Sequence, residues 1–230
     1  MNVLAIIPAY KPSEALVEQV RALQACVCAE ILVVDDGSGP DYRSVFDALA
    51  ALPHCRLLRH EVNQGKGRAL KTAFEHALRE MPMKELFVTV DADGQHDPED
   101  CRHVVEKLIA EKADVCLGER AFSLRTTPFR SWWGNRWTSL AFFLRRGRWF
   151  ADTQTGLRAF RWHLLPLLTA IPGAGYEYEM AALCALVRQR CRICVQPIRT
   201  IYEKGNASSH YDPLRDTIRV LRALFARTSV

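Results

Sequence analysis

The sequence lacks the features that mark membrane-spanning, secreted and multidomain chains. None of its apolar runs approaches the roughly 18 residues that a membrane-spanning helix requires, so any contact with a membrane would be peripheral. No basic leader precedes the apolar run at residues 3–7, and Pro8 comes too early for a signal peptide. Internal repeats, low-complexity tracts and obvious linkers are absent too. We therefore expect a single cytoplasmic domain spanning residues 1–230.

The eight cysteines do not form the pattern of a disulfide framework or of a zinc site. Most of them lie inside apolar runs, which is typical of buried free thiols. Cys191 and Cys194 have the spacing of half a zinc site, but Cys26 and Cys28 have the wrong spacing to complete it. We therefore do not expect a structural zinc ion.

Acidic residues are missing from one long segment, although the net charge of the whole chain is only +5. Residues 120–150 contain seven arginines, no Asp or Glu, and four of the five tryptophans. Mixed aromatic and basic side chains suit a segment in the headgroup region of an anionic membrane. They also suit a helix pair packed on the core with snorkelling arginines, or a platform for single-stranded nucleic acid. Composition alone leaves these three interpretations open.

The sequence does contain a regular alternation of short apolar runs and longer amphipathic segments. The apolar runs predict strands at residues 3–7, 31–34, 55–58, 86–90 and 115–118. The amphipathic segments predict helices at residues 13–24, 41–51, 66–81 and 98–110. Repeated βα alternation favours an α/β fold with a mainly parallel sheet, helices on both faces, and ligands beyond the carboxyl ends of the strands.

The strand predicted at residues 86–90 runs directly into acidic residues. If the extended geometry persists beyond Val90, then Asp91, Asp93 and Gln95 point the same way, because alternate strand residues share a face. Oxygen ligands suit Mg²⁺ or Mn²⁺, and such an ion can neutralise the diphosphate of a leaving nucleotide. The alternative is that the two carboxylates only solubilise a turn, while Asp97 caps the following helix.

Two other predicted strands also end in polar motifs. Asp35-Asp36-Gly37-Ser38-Gly39 offers carboxylates to a base or ribose, although an Asx-turn explains the same residues. Asn63-Gln64-Gly65-Lys66-Gly67 opens a helix, and its glycines, lysine and helix N-terminus suit phosphate oxygens. The second motif is not a Walker sequence, so a common glycine turn remains the alternative.

Taken together, five motifs resemble those of glycosyltransferase family 2, and most closely its dolichol-phosphate mannose synthase and bactoprenol glucosyltransferase branch. They are Ile6-Ile7-Pro8-Ala9-Tyr10, Asp35-Asp36-Gly37-Ser38, Asn63-Gln64-Gly65-Lys66-Gly67, Asp91-Ala92-Asp93-Gly94-Gln95-His96 and Asp152-Thr153-Gln154-Thr155-Gly156. They occur in the family's order and span most of the chain. Residues 201–216 also look like the C-terminal stretch of bacterial members of that branch.

The resemblance implies a GT-A fold with a nucleotide-sugar-binding half at residues 1–118 and an acceptor half at residues 119–230. It implies Mg²⁺ or Mn²⁺ and donor diphosphate at Asp91, Asp93 and Gln95. The other donor-site residues would be Pro8, Ala9, Tyr10, Asp36 and Lys66. Asp91 and Asp93 would act in catalysis together with two arginines that receive a polyprenyl-phosphate acceptor near Gln154; these are Arg120 and Arg130.

The resemblance also bears on the segment of about residues 120–150, which it implies to form amphipathic interfacial helices on the cytoplasmic face of a membrane. This favours a membrane surface over nucleic acid as partner.

Three departures from the family's pattern stand out. Lys11-Pro12 replaces the frequent Asn-Glu pair, and Ser209-His210 replaces a frequent Ser-Lys pair, where His210 either contacts phosphate or lies on the surface. C-terminal membrane helices of many members are absent, so anchoring would come from the interfacial segment or from a small integral membrane partner.

A lipid-phosphate nucleophile is already anionic near neutral pH, so positioning and charge stabilisation would dominate catalysis. We therefore predict direct displacement with inversion. Asp152, Gln154 and Glu177 would shape the sugar or acceptor pocket, unless Glu177 and Glu179 are only first-turn helix acids. The alternatives are transfer to a hydroxyl, which needs a carboxylate base, and an inactive nucleotide-binding or scaffold protein. The Gln-x-x-Arg-Trp signature of processive synthases is absent, which favours single-sugar transfer.

Overall fold

The computed structural model describes residues 2–27, 30–81, 84–120, 129–199 and 213–226, with the backbone alone described at residues 129–134 and 213–215. Within these ranges, seven strands form one sheet in the order β3-β2-β1-β4-β6-β5-β7. The strands are β1 (Val3–Ala9), β2 (Glu30–Asp35), β3 (Cys55–Arg59), β4 (Leu86–Thr89), β5 (Val115–Arg120), β6 (Arg158–Arg161) and β7 (Ile193–Ile198). The α/β prediction and the five predicted strands are confirmed.

All the paired strands are parallel except β6, which lies antiparallel between β4 and β5. Its direction decides where the site is built. Because β6 runs the opposite way, the residues that precede it, 152–157, lie at the sheet edge where the parallel strands β4 and β5 end. Residues that follow β4, follow β5 and precede β6 therefore meet at one edge.

Eight helices are present in the described ranges, and they cover both faces of the sheet. They are α1 (Ala15–Cys26), α2 (Arg43–Ala50), α3 (Lys66–Glu80), α4 (Pro98–Ala110), α5 (Phe129–Arg146), α6 (Leu165–Ala170), α7 (Glu177–Arg188) and α8 (Pro213–Phe225). Within these ranges no helix is long and apolar enough to cross a membrane. The four helices predicted from periodicity are α1 to α4, and their observed bounds lie within a few residues of the predicted ones.

Alternating strand residues divide the core into two layers. Leu4 and Ile6 point to the face covered by α3, α6, α7 and α8, to which Phe142 of α5 also contributes. Ala5 and Ile7 point to the face covered by α1, α2 and α4. Burial on both faces explains why the central strands are continuous apolar runs and not alternating ones.

The cysteines in the described part of the chain carry free thiols. Cys101, Cys116, Cys184 and Cys194 are buried among apolar side chains. This agrees with the predicted thiol chemistry for those four residues.

Candidate active site

The chain brings its predicted site residues to the carboxyl edge of the sheet, but the local geometry after β4 differs from the expectation. The strand ends at Thr89, and residues 92–94 form a turn in which Gly94 has a φ of 74°. The assumption that extended geometry continues beyond Val90 is therefore wrong. The backbone N–H of Gln95 donates to Asp93 Oδ1 at 3.0 Å. Asp93 therefore also organises the turn, as short polar side chains commonly do.

Asp91 is held by a partly buried lysine that also pairs with a second carboxylate. Lys66 Nζ lies 2.5 Å from Asp91 Oδ1 and 2.7 Å from Glu179 Oε1. Lys66 begins α3 and Glu179 lies in the first turn of α7, so one ammonium group connects three elements. The sequence predicts a contact of Lys66 with the donor, and in this structure its ammonium pairs with two carboxylates of the chain.

Burial and charge act in opposite directions within this cluster. Burial alone would lower the pKa of Lys66, but the carboxylates of Asp91 and Glu179 outweigh it and raise that pKa. Burial would likewise raise the pKa of Asp91, but the Lys66 ammonium holds it well below its usual range. Glu179 differs, because burial and the charge of Asp91 raise its pKa despite Lys66. Of the two carboxyl groups that pair with Lys66, Asp91 is therefore the one whose pKa is lowered.

Asp91 and Asp93 suit a divalent cation, because their two carboxyl groups lie close enough to repel each other. Burial and the nearby negative charge of Asp91 raise the pKa of Asp93, which shows two carboxyl groups whose repulsion a cation would relieve. Lys66 already places a positive charge against one of them. Among the described residues no three His, Cys, Asp or Glu side chains are grouped for metal binding. A metal here would therefore use the two aspartates, an amide oxygen such as that of Gln95, and oxygens of the substrate.

Three further residues pack around Asp91. Gln19 of α1 donates from Nε2 to the Asp91 carbonyl at 2.9 Å, and His96 Nε2 lies 3.3 Å from Asp91 Oδ2. Gly156 faces the same carboxylate so closely that an added Cβ atom would collide with it. The opposite atoms Gln19 Oε1 and His96 Nδ1 are buried without a hydrogen-bond partner. Buried unpaired polar atoms are rare, so these two mark a place where water or a ligand atom is expected.

Asp36, for which a nucleoside contact was predicted, bonds several groups of the chain itself. It is only 2% exposed. Its carboxylate accepts hydrogen bonds from the backbone N–H groups of Gln64 and Gly65, at 2.9 and 2.8 Å, and lies 2.7 Å from His60 Nδ1. His60 Nε2 in turn lies 3.0 Å from Thr72 Oγ1. Asp36 thus ties the turn after β2 to the start of α3, which carries Lys66.

The other donor-side residues lie beside that turn at the end of β1. Pro8 and Ala9 pair in register with Val34 and Asp35 of β2. Tyr10 follows them and is partly exposed. Lys11 has a φ of 49° and donates its backbone N–H to Ser38 Oγ at 2.9 Å, which holds the two turns together. These residues therefore flank one side of the edge where Asp91 lies.

On the acceptor side, Arg120 at the end of β5 forms a two-point ion pair with Asp152. Its Nε lies 2.6 Å from Asp152 Oδ2, and its Nη2 lies 3.2 Å from Oδ1. The Glu119 carboxylate accepts from the backbone N–H groups of Ala151 and Asp152. Gln154 donates its backbone N–H to Asp152 at 3.2 Å. The structure therefore joins Arg120 and Gln154 through Asp152.

Other predicted site residues are outside what the structure describes. The backbone of Arg130 lies in the first turn of α5, but its side chain is not among the described ones. His210 and most of the C-terminal motif lie outside the described residues as well. The roles predicted for Arg130 and His210 stay predictions.

The described part of the segment 120–150 presents apolar side chains to solvent. Leu144 is 76% exposed and Trp137 is 59% exposed, while Phe142 and Phe150 are buried in the core. Further exposed apolar residues in this segment are Leu140, Phe143 and Trp149. The segment therefore packs on the core with one side and leaves an aromatic and aliphatic surface with the other, which we call the apolar surface of α5.

Sequence reasoning missed three residues that shape the site. Glu179 was treated as an ordinary first-turn acid, although an acid within the apolar run of α7 signals a buried partner. Gly156 carried no role of its own. Arg158 lies on β6 between apolar neighbours and is buried, where its guanidinium donates to the carbonyls of Thr153, Thr155 and Glu179. The available signal was an arginine placed directly between the apolar residues Leu157 and Ala159.

Comparison with known proteins identifies the family. The model of the glycosyl transferase family 2 matches residues 5–164. Over 218 residues the chain is 30% identical to the UDP-N-acetylglucosamine--dolichyl-phosphate N-acetylglucosaminyltransferase of Methanococcus voltae, covering 86% of this chain and 84% of that protein. Over 185 residues it is 31% identical to the polyprenol monophosphomannose synthase of Mycolicibacterium smegmatis, covering 77% and 69%.

A solved structure shares the fold. Glucosyl-3-phosphoglycerate synthase from Mycobacterium tuberculosis, crystallised with Mn²⁺, uridine diphosphate and glucosyl-3-phosphoglycerate, superposes with a TM-score of 0.72 at 18% identity, covering 97% of this chain and 78% of that one. Similarity at this identity concerns the fold, which is GT-A. The resemblance inferred from the five motifs is confirmed. The chain therefore belongs to glycosyl transferase family 2 and is a glycosyltransferase with the GT-A fold.

Proposed function

We propose that this glycosyltransferase transfers a single sugar from a nucleotide-sugar to a polyprenyl phosphate, with inversion at the anomeric carbon. The observation that carries the proposal is the meeting, at one sheet edge, of the Asp91 and Asp93 carboxylates with the Arg120–Asp152 pair. The first group suits a cation and a diphosphate, and the second presents a guanidinium at the same edge. Similarity to a dolichyl-phosphate N-acetylglucosaminyltransferase and to a polyprenol monophosphomannose synthase supports this acceptor class.

On the donor side, Asp91, Asp93 and Gln95 would hold Mg²⁺ or Mn²⁺, which supplies neutralising charge to the leaving nucleoside diphosphate. The chain's own contribution is to fix Asp91. Lys66 holds its carboxylate, Gln19 holds its carbonyl, and Gly156 leaves room for it. Pro8, Ala9 and Tyr10 would line the nucleoside side of the pocket. Asp36 supports them indirectly by fixing the start of α3.

On the acceptor side, Arg120 and Arg130 would orient the phosphate of the acceptor, with Gln154 beside them. Asp152 holds the Arg120 guanidinium in a fixed plane, and a preoriented guanidinium suits a phosphate better than a freely rotating one. An acceptor phosphate is already ionised near neutral pH, so the chain needs no strong base to activate it. Catalysis would rest on positioning two anionic substrates against each other.

Glu179 supports a second candidate, which is transfer to a hydroxyl acceptor. Burial raises the pKa of this carboxyl, and a raised pKa is useful in a general base. Its ion pair with Lys66, at 2.7 Å, favours a structural role instead. The two candidates differ for the variant Glu179→Gln. A hydroxyl acceptor requires it to lose nearly all turnover, and a phosphate acceptor does not.

The acceptor class also requires access to a lipid surface. The apolar surface of α5 supports a peripheral location at the cytoplasmic face of a membrane, because exposed Trp, Phe and Leu side chains alternate there with arginines. Arg136 packs against the ring of Trp149, so basic and aromatic groups share this surface. A small integral membrane protein would be a further anchor. Nucleic acid is not part of the proposal.

The test is a transfer assay with purified protein, Mn²⁺, a panel of nucleotide-sugars, and either undecaprenyl phosphate or a free sugar alcohol as acceptor. We expect a polyprenyl-phosphate sugar to form with one donor, and with the opposite anomeric configuration to that donor. Chelation of the metal should remove the activity. Donor consumption only with the hydroxyl acceptor would favour the second candidate, and no donor consumption at all would refute both.

A further inference from the structure

We propose that Arg158 is a positioning residue that fixes the donor and acceptor sides of the site relative to each other. It is 3% exposed, and its guanidinium bonds carbonyls from two separate elements. This inference rests on the proposed transfer reaction, for which Arg158 touches neither substrate. It assigns the residue a role that its buried location on a strand would not suggest.

The hydrogen bonds of Arg158 enclose the loop before β6. Its Nε donates to the Thr155 carbonyl at 2.8 Å, and its Nη2 donates to the Thr153 carbonyl at 3.1 Å. Between and beside these two carbonyls lie the loop residues that contact the site. Asp152 precedes them and pairs with Arg120, and Gly156 follows them and packs against Asp91. The side chain of Arg158 therefore fixes the orientation of the loop at two of its carbonyls.

The third hydrogen bond connects the loop to α7. Arg158 Nη1 donates to the Glu179 carbonyl at 2.9 Å. The side chain of Glu179 pairs with Lys66, which pairs with Asp91. Arg158 thus acts on Asp91 by two routes, through Gly156 of the loop and through Glu179 and Lys66.

The place of Arg158 in the sheet explains why it can reach both sides. It lies on β6, opposite Thr89 of β4 and Leu117 of β5 in the strand register. The donor carboxylates follow β4, and Arg120 ends β5. A residue on the strand between them is the natural connection between the two halves of the site.

The chemistry of the side chain suits three carbonyls at once. A guanidinium carries five N–H donors in a planar fork, whereas the ammonium of lysine is a compact group without that plane. Burial lowers the pKa of Arg158, and the negative charges of Glu179, Asp152 and Asp91 oppose that shift without reversing it. The buried cation therefore also balances the negative charge of the site above it.

Three variants test the proposal: Arg158→Met, Arg158→Lys and the control Arg161→Met. Arg161 lies on the same strand and donates to the Ala113 carbonyl at 2.9 Å, away from the site. We expect Arg158→Met to lower kcat per folded molecule by about 30-fold or more, since small misplacements of reacting groups cost rates of this order. The KM for the donor should change less than kcat does, because Pro8 and Ala9 lie on β1 and not on the loop and helix that Arg158 bonds. Arg158→Lys should recover part of the loss, and Arg161→Met should keep the wild-type kcat.

Folded protein is measured by circular dichroism and thermal unfolding. A kcat per folded molecule that equals the wild-type value in Arg158→Met would overturn the proposal, because the role would then be structural only. If Arg158→Met does not fold, Arg158→Lys decides, with a loss of kcat supporting the proposal and a wild-type kcat overturning it.

A wild-type protein that transfers no sugar refutes the proposed function instead. Hydrogen exchange of residues 152–157 then still tests the positioning role. Faster exchange in Arg158→Lys but not in Arg161→Met supports it, and unchanged exchange overturns it.

Discussion

At the scale of single residues, the candidate site depends on very close approach of the chain to Asp91. Gly156 is the clearest case, because it lies against the carboxylate where any side chain would overlap it. Lys66 is the second case, since its ammonium bridges Asp91 and Glu179 over 2.5 and 2.7 Å. A charge held this way has its direction set before substrate arrives, which is what electrostatic catalysis requires.

We predict that Gly156→Ala lowers kcat by about 100-fold, because the added methyl group displaces the Asp91 carboxylate by a distance on the order of 1 Å. Binding of Mn²⁺, measured by electron paramagnetic resonance, should weaken as well. The control is Gly147→Ala, where no atom lies within 4 Å of an added Cβ. Gly147 has a φ of 70°, so this control costs some stability but should leave Mn²⁺ binding intact. Equal Mn²⁺ affinity in Gly156→Ala and the wild type would contradict the prediction.

At the scale of elements, the start of α4 follows the Asp91 turn directly and is stabilised by Asp97. The Asp97 carboxylate accepts the backbone N–H of Glu99 at 2.8 Å, with Pro98 at the first helical position. The predicted helix cap is confirmed. Asp97 also lies 3.2 Å from Arg199, and Asp100 accepts the Arg199 backbone N–H at 2.9 Å. The start of α4 therefore connects the turn after β4 to the end of β7.

We predict that Asp97→Ala destabilises the protein by about 1 kcal/mol, the usual cost of losing a side-chain helix cap. The free energy of unfolding in urea measures this. Glu106→Ala on the same helix is the control, because it removes only an exposed ion pair with Arg102, and such pairs contribute a few tenths of a kcal/mol. Similar losses for the two variants would mean that the cap contributes no more than a surface ion pair.

At the scale of the whole molecule, exposed apolar side chains are concentrated on α5 and the turn after it. Isolated exposed apolar residues such as Val62 are ordinary. Contiguous ones mark interaction surfaces, and here they stand in a segment with seven arginines and no acidic residue. Ile218 and Phe225 of α8 are also exposed, and α8 packs beside α5 and α7. The exposed residues thus extend across more than one helix.

We predict that Leu144→Asp weakens binding to anionic liposomes by about tenfold, because a buried leucine side chain contributes about 1.5–3 kcal/mol of transfer free energy. Cosedimentation at low salt measures the partition, and added salt should weaken the binding of the wild type as arginine contacts are screened. Val62→Asp is the control, since Val62 is 66% exposed but lies outside the segment. Equal partition of the two variants would place membrane contact elsewhere.

The sequence by itself determined the features that depend on neighbouring residues. Periodicity located the first five strands and the first four helices, and Asp97 before Pro98 predicted the start of a helix. The five motifs identified the family. These predictions succeed because hydrophobic periodicity, capping and turn chemistry act over a few residues. The order of the motifs can be read directly from the sequence.

Only the tertiary structure decided which side chains meet. Lys66, Asp91 and Glu179 are far apart in the chain, and their contact depends on β4 ending where α3 and α7 begin. The antiparallel direction of β6 places Gly156 against Asp91. Hydrophobic periodicity predicts a strand but not its direction in the sheet. The Asp36 carboxylate accepts two backbone N–H groups at the start of α3, because those groups have no partners within the helix. Such contacts arise from packing over long sequence separations, which no local pattern encodes.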